Sequence, residues 1–194
     1  MGWNEFGNDV GNGSSGIRTF GVACTNIQIR DNIICRNGKL EASCSAQATS
    51  CGIVFNTGTI NSATISGNKI GIDINYATAG NKFSGLYFFQ NGNMGGSNIA
   101  NVMINGNIIG DNGSCSEINS NGFSSYQSNY YTFTNNYVGV GPSGQSFGNY
   151  ANGMEINTST NFLVTNNRIA NNKGIRSAAQ AEACAGIAMF NSTT

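Results

Sequence analysis

Short runs of alternating apolar and polar residues recur along the whole chain, and each is closed by the same small group. In TISGNKIG (64–71), Ile65 and Ile70 flank a Gly-Asn pair. QIRDNIIC (28–35), MINGNIIG (103–110), TFTNNYVG (132–139) and LVTNNRIA (163–170) repeat the arrangement. The central asparagine recurs as Asn32, Asn68, Asn107, Asn136 and Asn167, at spacings of 36, 39, 29 and 31. Three residues earlier stand Ile29, Ile65, Ile104, Phe133 and Val164; two residues later stand Ile34, Ile70, Ile109, Val138 and Ile169. A second marker, Gly followed by an apolar residue, keeps the same variable period. It occurs at Gly16-Ile17, Gly52-Ile53, Gly85-Leu86, Gly122-Phe123, Gly153-Met154 and Gly186-Ile187.

Each unit therefore predicts a strand opened by Gly, a short connection, a strand ending just before the asparagine, a third short strand, and a long Gly/Asn/Ser loop. Alternation such as Ile27 and Ile29, or Val102 and Ile104, puts the apolar residues on one face. Units this short cannot bury a face alone and must stack. Three strands per turn, stacked in parallel at the ordinary interstrand spacing of about 4.8 Å, make a β-solenoid. The residue before each asparagine (Asp31, Gly67, Gly106, Asn135, Asn166) is of a type that tolerates positive φ, as a sharp corner requires. The asparagine has both a donor and an acceptor, so a column of them can hydrogen-bond from coil to coil. Asn32, Asn68, Asn107, Asn136 and Asn167 are read as this structural ladder.

The 194 residues hold 32 Asn and 27 Gly, one Pro and no His. Charged residues are 9% of the chain, against about 25% in an ordinary soluble protein. Net charge is zero and no basic run offers a phosphate-binding surface, which argues against nucleic acid as a partner. No window approaches the roughly 18 consecutive apolar residues of a membrane helix, and the start, MGWNEFGNDVG, has no signal-peptide pattern. Six cysteines (Cys24, Cys35, Cys44, Cys51, Cys115, Cys184) suit a disulfide framework in an oxidising compartment, with Cys44–Cys51 the most local pairing. Zinc spacing is absent.

These units resemble the right-handed parallel β-helix repeat family, whose repeats read roughly I-x-x-N-x-I with a Gly-Ile strand opener. The resemblance spans essentially the whole chain. The passage from 135 to 174 is similar to secreted and surface β-helix proteins with an N-x-I-G…G-N…G-I pattern. It implies an all-β, single-stranded, right-handed parallel β-helix of about five coils, with long loops on one corner. Relatives of this kind include polysaccharide lyases, hydrolases and epimerases, tailspikes, adhesins and modules without activity, so the fold alone does not name a function.

The motifs of the enzymatic relatives are missing. There is no Asp-Pro-His, no Gly-His-Gly and no Arg-Ile-Lys. Asp31 fills a turn position. Asp73 and Asp111 are the acidic pair placed to meet, one coil apart on the long-loop corner, and two carboxylates can act as acid and base. Ca²⁺, which wants six to eight oxygens, finds no evident ligand set, and no metal or other cofactor is expected. A binding face has the stronger claim. Residues two and four after each opening Gly point outward, so Phe20, Tyr87, Phe89, Tyr126 and Phe190 would form a broken aromatic strip suited to sugar rings, unless the long loops fold over it. Outward columns on the next strand (Arg30, Ser66, Asn105, Thr134, Thr165 and Gln28, Thr64, Met103, Thr132, Leu163) are too irregular for an ice-binding array.

The start resembles the loop-then-strand passage at 139–156, and GIAMF (186–190) matches a first strand. Residues 1–194 are read as one β-helix domain that begins and ends mid-coil. It would be either a piece of a longer solenoid or a subunit that stacks head to tail on copies of itself. The expected function is a non-catalytic structural or adhesive solenoid, extracellular or on a cell or virion surface, that contacts polysaccharide. The alternative is a polysaccharide lyase, hydrolase or epimerase.

Overall fold

The computed structural model describes residues 11–21, 23–38, 50–56, 58–89, 98–113, 120–174 and 185–192. Three strands recur in each coil. The first coil holds β1 (Ile17–Phe20), β2 (Cys24–Arg30) and β3 (Ile33–Ile34). The second holds β4 (Ile53–Asn56), β5 (Thr59–Ser66) and β6 (Lys69–Ile70), and the third β7 (Leu86–Phe89), β8 (Asn98–Asn105) and β9 (Ile108–Ile109). Then come β10 (Phe123–Tyr126), β11 (Asn129–Thr134) and β12 (Tyr137–Val138), followed by β13 (Met154–Asn157), β14 (Thr160–Thr165) and β15 (Arg168–Ile169). A sixth first strand, β16 (Ile187–Phe190), follows. First, second and third strands form separate sheets of six, five and five strands, all parallel. The chain is a parallel β-helix repeat protein: all-β, with three sheets and, among the described residues, no helix.

Register follows the two sequence markers. Ile17, Ile53, Leu86, Phe123, Met154 and Ile187 pair in one row, and Ile29, Ile65, Ile104, Phe133 and Val164 in another. All of these except Ile187 meet inside the tube with the third-strand residues Ile34, Ile70, Ile109, Val138 and Ile169. Aromatic rings thread the centre. Phe55 stacks on Phe88 at 5.0 Å, Phe88 meets Phe123 edge-on at 5.1 Å, and Phe123 stacks on Phe133 at 5.1 Å. Such offset and edge-on pairs add to plain area burial.

The opening glycines are needed for closeness rather than for turning. A Cβ on Gly85 would lie 2.7 Å from the Gly122 carbonyl oxygen and 2.7 Å from Ile109 Cγ2. Gly16, Gly52, Gly122 and Gly153 are confined in the same way by the next glycine and by a third-strand residue. The apolar residue after each Gly can enter the core only because the Gly lets the third strand close over it.

Positive φ is used where the tube bends. The position before the asparagine ladder holds Asp31 (54°), Gly67 (66°), Gly106 (66°), Asn135 (54°) and Asn166 (55°). A second bend lies within the long second strand, at Asn26 (54°), Ser62 (69°), Asn101 (55°), Tyr130 (54°) and Asn161 (52°). Asn and Gly tolerate this region; an aromatic residue there is an outlier.

Loops gather between third and first strands, and a further long connection, 90–97, follows β7 and lies outside the described residues. Two loops contain matching turns closed by antiparallel bridges, Ile72 with Thr78 and Val140 with Ser146. Ile72 and Phe147 from these turns pack with Ile108 into a small apolar cluster over the third sheet.

The disulfide expectation is not supported. Among the described residues no disulfide joins Cys24, Cys35 and Cys51 to one another, and Cys35 and Cys51 are buried in the packing. Burial pushes the Cys51 thiol up to about 12. Cys44, Cys115 and Cys184 lie outside the described residues. Among the described residues no helix is long and apolar enough to cross a membrane.

Candidate functional site

The asparagine column runs unbroken through five coils. Asn32 Nδ2 donates to Asn68 Oδ1 (3.1 Å), Asn68 to Asn107 (2.9 Å), Asn107 to Asn136 (2.9 Å) and Asn136 to Asn167 (3.1 Å). Each accepting Oδ1 also takes the backbone N–H of the preceding asparagine at 2.8–3.0 Å. Each Nδ2 from Asn68 onward reaches back to a core-strand carbonyl, as Asn107 does to Ile65 at 2.9 Å. Buried amides in this arrangement are fully satisfied, which is the condition for keeping polar groups in a core.

A second column, not anticipated from the sequence, stands between the third and first strands. Asn37 Nδ2 donates to Asn81 (2.7 Å), Asn81 to Asn112 (2.8 Å), Asn112 to Asn149 (3.0 Å) and Asn149 to Asn172 (2.8 Å). Asn12 caps it by donating to Asn37 at 2.9 Å. Asn37, Asn112 and Asn172 follow the first ladder by five residues, but Asn81 and Asn149 follow it by thirteen. The turns at 72–79 and 140–147 supply the extra eight. The local signal was Gly-Asn at the exit of those turns (80–81, 148–149).

This second ladder positions a cleft of about 540 Å³. Arg36, Lys82, Asp111, Tyr150 and Lys173 line it, and each is the immediate chain neighbour of a ladder asparagine. Gly38 (φ 94°) and Gly113 (φ 89°) form its floor on one side. A Cβ there would stand 2.9 Å from Lys82 Cβ and from Tyr150 Cβ, respectively. Asp111 Oδ2 accepts the Gly80 N–H at 3.1 Å, and Oδ1 lies 3.9 Å from Lys173 Nζ. Burial raises the Asp111 carboxyl above its ordinary value, against the opposing pull of the Gly80 N–H, Lys173 and Arg36.

Asp73 is occupied elsewhere. Its Oδ1 accepts the N–H groups of Asn75 and Ala77, both at 2.8 Å, inside the 72–79 turn. The partners of Asp111 are Gly80 and Lys173, so the two carboxylates serve different structures. Among the described residues no three Asp, Glu or Cys side chains converge as metal ligands would.

The aromatic positions do not form one open strip. Tyr87 is buried, in a satellite cluster with Val54, Cys51 and Phe83 that lies over the outer face of the first sheet. Phe89 and Tyr126 are half-buried and stacked at 5.4 Å, with Tyr87 continuing the stack at 5.8 Å. Phe20 is 60% exposed, with the Arg18 guanidinium 4.9 Å over its ring. Phe190, 36% exposed, stands at the opposite edge of the same sheet. Between them the sheet carries a buried polar network: Asn121 and Asn152 donate to Glu155 Oε2, and the Ser84 and Ser124 hydroxyls lie 3.0 Å apart. One glycosylation sequon, at Asn112, is spent in the second ladder and fully buried.

No protein-family model matches the chain, and no characterised protein or solved structure matches it either.

Proposed function

We propose that this chain is a structural or adhesive β-solenoid of an extracellular or surface setting, and that its specific contact is a glycan held at the corner cleft. The observation that carries the reading is the make-up of that cleft. Its walls are fixed by a continuous amide ladder, and among the described residues its lining combines hydrogen-bonding cations, one tyrosine ring and a single carboxylate. Two-carboxylate glycoside chemistry needs a second acid beside Asp111, whereas Asp73 is engaged by its own turn. A polar, concave, pre-formed surface with an aromatic edge suits sugar hydroxyls and rings. Electrophoresis through gels containing immobilised polysaccharides tests this. A retarding polysaccharide should lose its effect on Tyr150→Ala and Lys82→Ala proteins but keep it on Phe20→Ala. Equal retardation of all of them overturns the cleft as the site.

End-to-end stacking is favoured by a separate observation. Ile187 and Met189 continue the core rows of Met154 and Ile156, yet are 41% and 51% exposed. With Phe162, Leu163, Val164 and Ile156 they line an apolar hollow of about 320 Å³. A further coil laid in parallel register, such as the β1 edge of another copy, would fill it. Sedimentation velocity should show mass rising with concentration, and Ile187→Lys with Met189→Lys should abolish the rise. A monomer at every concentration overturns the stacking.

A further inference from the structure

We infer that the corner cleft is an anion-binding site in which Asp111 is a resident counter-ion, competing with any sulfate or carboxylate that enters. The inference deepens the glycan reading of the same cleft and rests on it in taking the cleft as a ligand site.

Among the described residues, Lys82, Lys173 and Arg36 line the cleft together with one carboxylate, Asp111. Ladder neighbours are one coil apart, about 4.8 Å along the stack, and Asp111 and Lys173 belong to coils separated by a third. The residue between them is Gly148, whose Cβ would collide with the Asn171 carbonyl oxygen and touch Lys173 Cγ at an ordinary 3.5 Å. The row before the second ladder therefore reads Arg36, Gly80, Asp111, Gly148, Asn171, with bare backbone on either side of the carboxylate. Asp111 is thus reached by Lys173 from one direction and feels Arg36 from the other.

That carboxylate is held weakly. Its contact to Lys173 is long, and the lysine is 47% exposed. Its backbone bond to Gly80 fixes its position without neutralising it. An entering sulfate, with two charges and several acceptor oxygens, competes with the Asp111 carboxylate for Lys173. What opposes entry is the negative charge of Asp111 itself. Protonating Asp111 removes that charge while the lysines and arginine stay positive, so anions bind more tightly as the pH falls. No other acidic side chain lines the cleft among the described residues, and Tyr150 is its remaining titratable group.

Asn is the natural replacement, since Asn171 occupies the equivalent corner at φ 61° and Asp111 sits at 55°. Dextran sulfate, unsulfated dextran and inorganic sulfate are titrated by calorimetry and by amide chemical shifts at pH 4 and pH 7.5. Wild type should bind dextran sulfate and sulfate more tightly at the lower pH, with affinity falling as salt rises. Asp111→Asn should bind about two- to fivefold more tightly than wild type at pH 7.5 and lose most of the pH dependence. Lys82→Ala and Lys173→Ala should each weaken binding. An Asp111→Asn protein that binds no better, or worse, at pH 7.5 overturns the counter-ion role. Unsulfated dextran bound at the cleft with sulfate ignored would leave the glycan reading standing and overturn this one. Shifts confined to residues outside the cleft would overturn both.

Discussion

Asn68 Nδ2 donates to Asn107 Oδ1 at 2.9 Å, and that same oxygen accepts the Asn68 backbone N–H at 3.0 Å. One buried oxygen thus satisfies two donors from the coil before it. Replacing Asn107 by Leu leaves both donors of Asn68 buried without that acceptor, and also removes the donor to Asn136. Each orphaned group costs about 1–3 kcal/mol. Asn107→Leu should therefore destabilise by roughly 3 kcal/mol or more, read as a lower urea midpoint at unchanged slope. Asn112→Leu, on the second ladder, should cost a similar amount. Asn32→Leu should cost clearly less, because Asn32 is only half-buried and, among the described residues, no ladder partner donates to it.

Glycines of two kinds should respond differently. Gly122→Ala places a Cβ 2.7 Å from both the Gly153 oxygen and Val138 Cγ1, so two strands must part. Overpacking of this kind costs about 1–3 kcal/mol. Gly106 has open space where its side chain would be, and its column holds Asn135 and Asn166 at nearly the same φ. Gly106→Asn should change the melting temperature little, while Gly122→Ala lowers it by several degrees, about 2–4 °C per kcal/mol for a chain of this size.

Tyr130 is held at φ 54° in a column otherwise filled by Asn and Ser, and its ring is 55% exposed. The left-handed region costs an ordinary L-residue about 1–2 kcal/mol, and Asn less. Tyr130→Asn should raise stability by up to about 1 kcal/mol in the same denaturation assay. A loss of stability would show that the exposed ring contributes packing the backbone term does not capture.

Much of the architecture was legible because the first ladder and the opening glycines keep register with the core. Asn68 is always three residues past one core side chain and two before another, so the period survives loops of any length. The second ladder escaped because the turns at 72–79 and 140–147 displace Asn81 and Asn149 from the five-residue offset of Asn37. The cleft escaped with it, since Arg36, Lys82 and Lys173 gain meaning only as neighbours of that ladder. Alternation correctly turned Tyr87 away from the core but carried no information about Phe83 and Cys51, which pack beside it from non-repeating corner segments. Likewise, Asp73 and Asp111 were placed on one corner by counting, yet the turn around Asp73 uses its carboxylate locally.

Binding and turnover, measured together on one sample, separate a glycan-holding cleft from a catalytic one. The protein is incubated with a panel of neutral, carboxylated and sulfated polysaccharides, with and without Ca²⁺. Retention is followed by co-sedimentation, and new reducing ends and unsaturated products are followed over a day. A glycan-binding, non-catalytic cleft gives saturable retention of at least one polysaccharide, weakened by Lys82→Ala, with no product above the protein-free control. Product that grows with wild-type protein and disappears with Asp111→Asn would contradict it and make the corner cleft an active site.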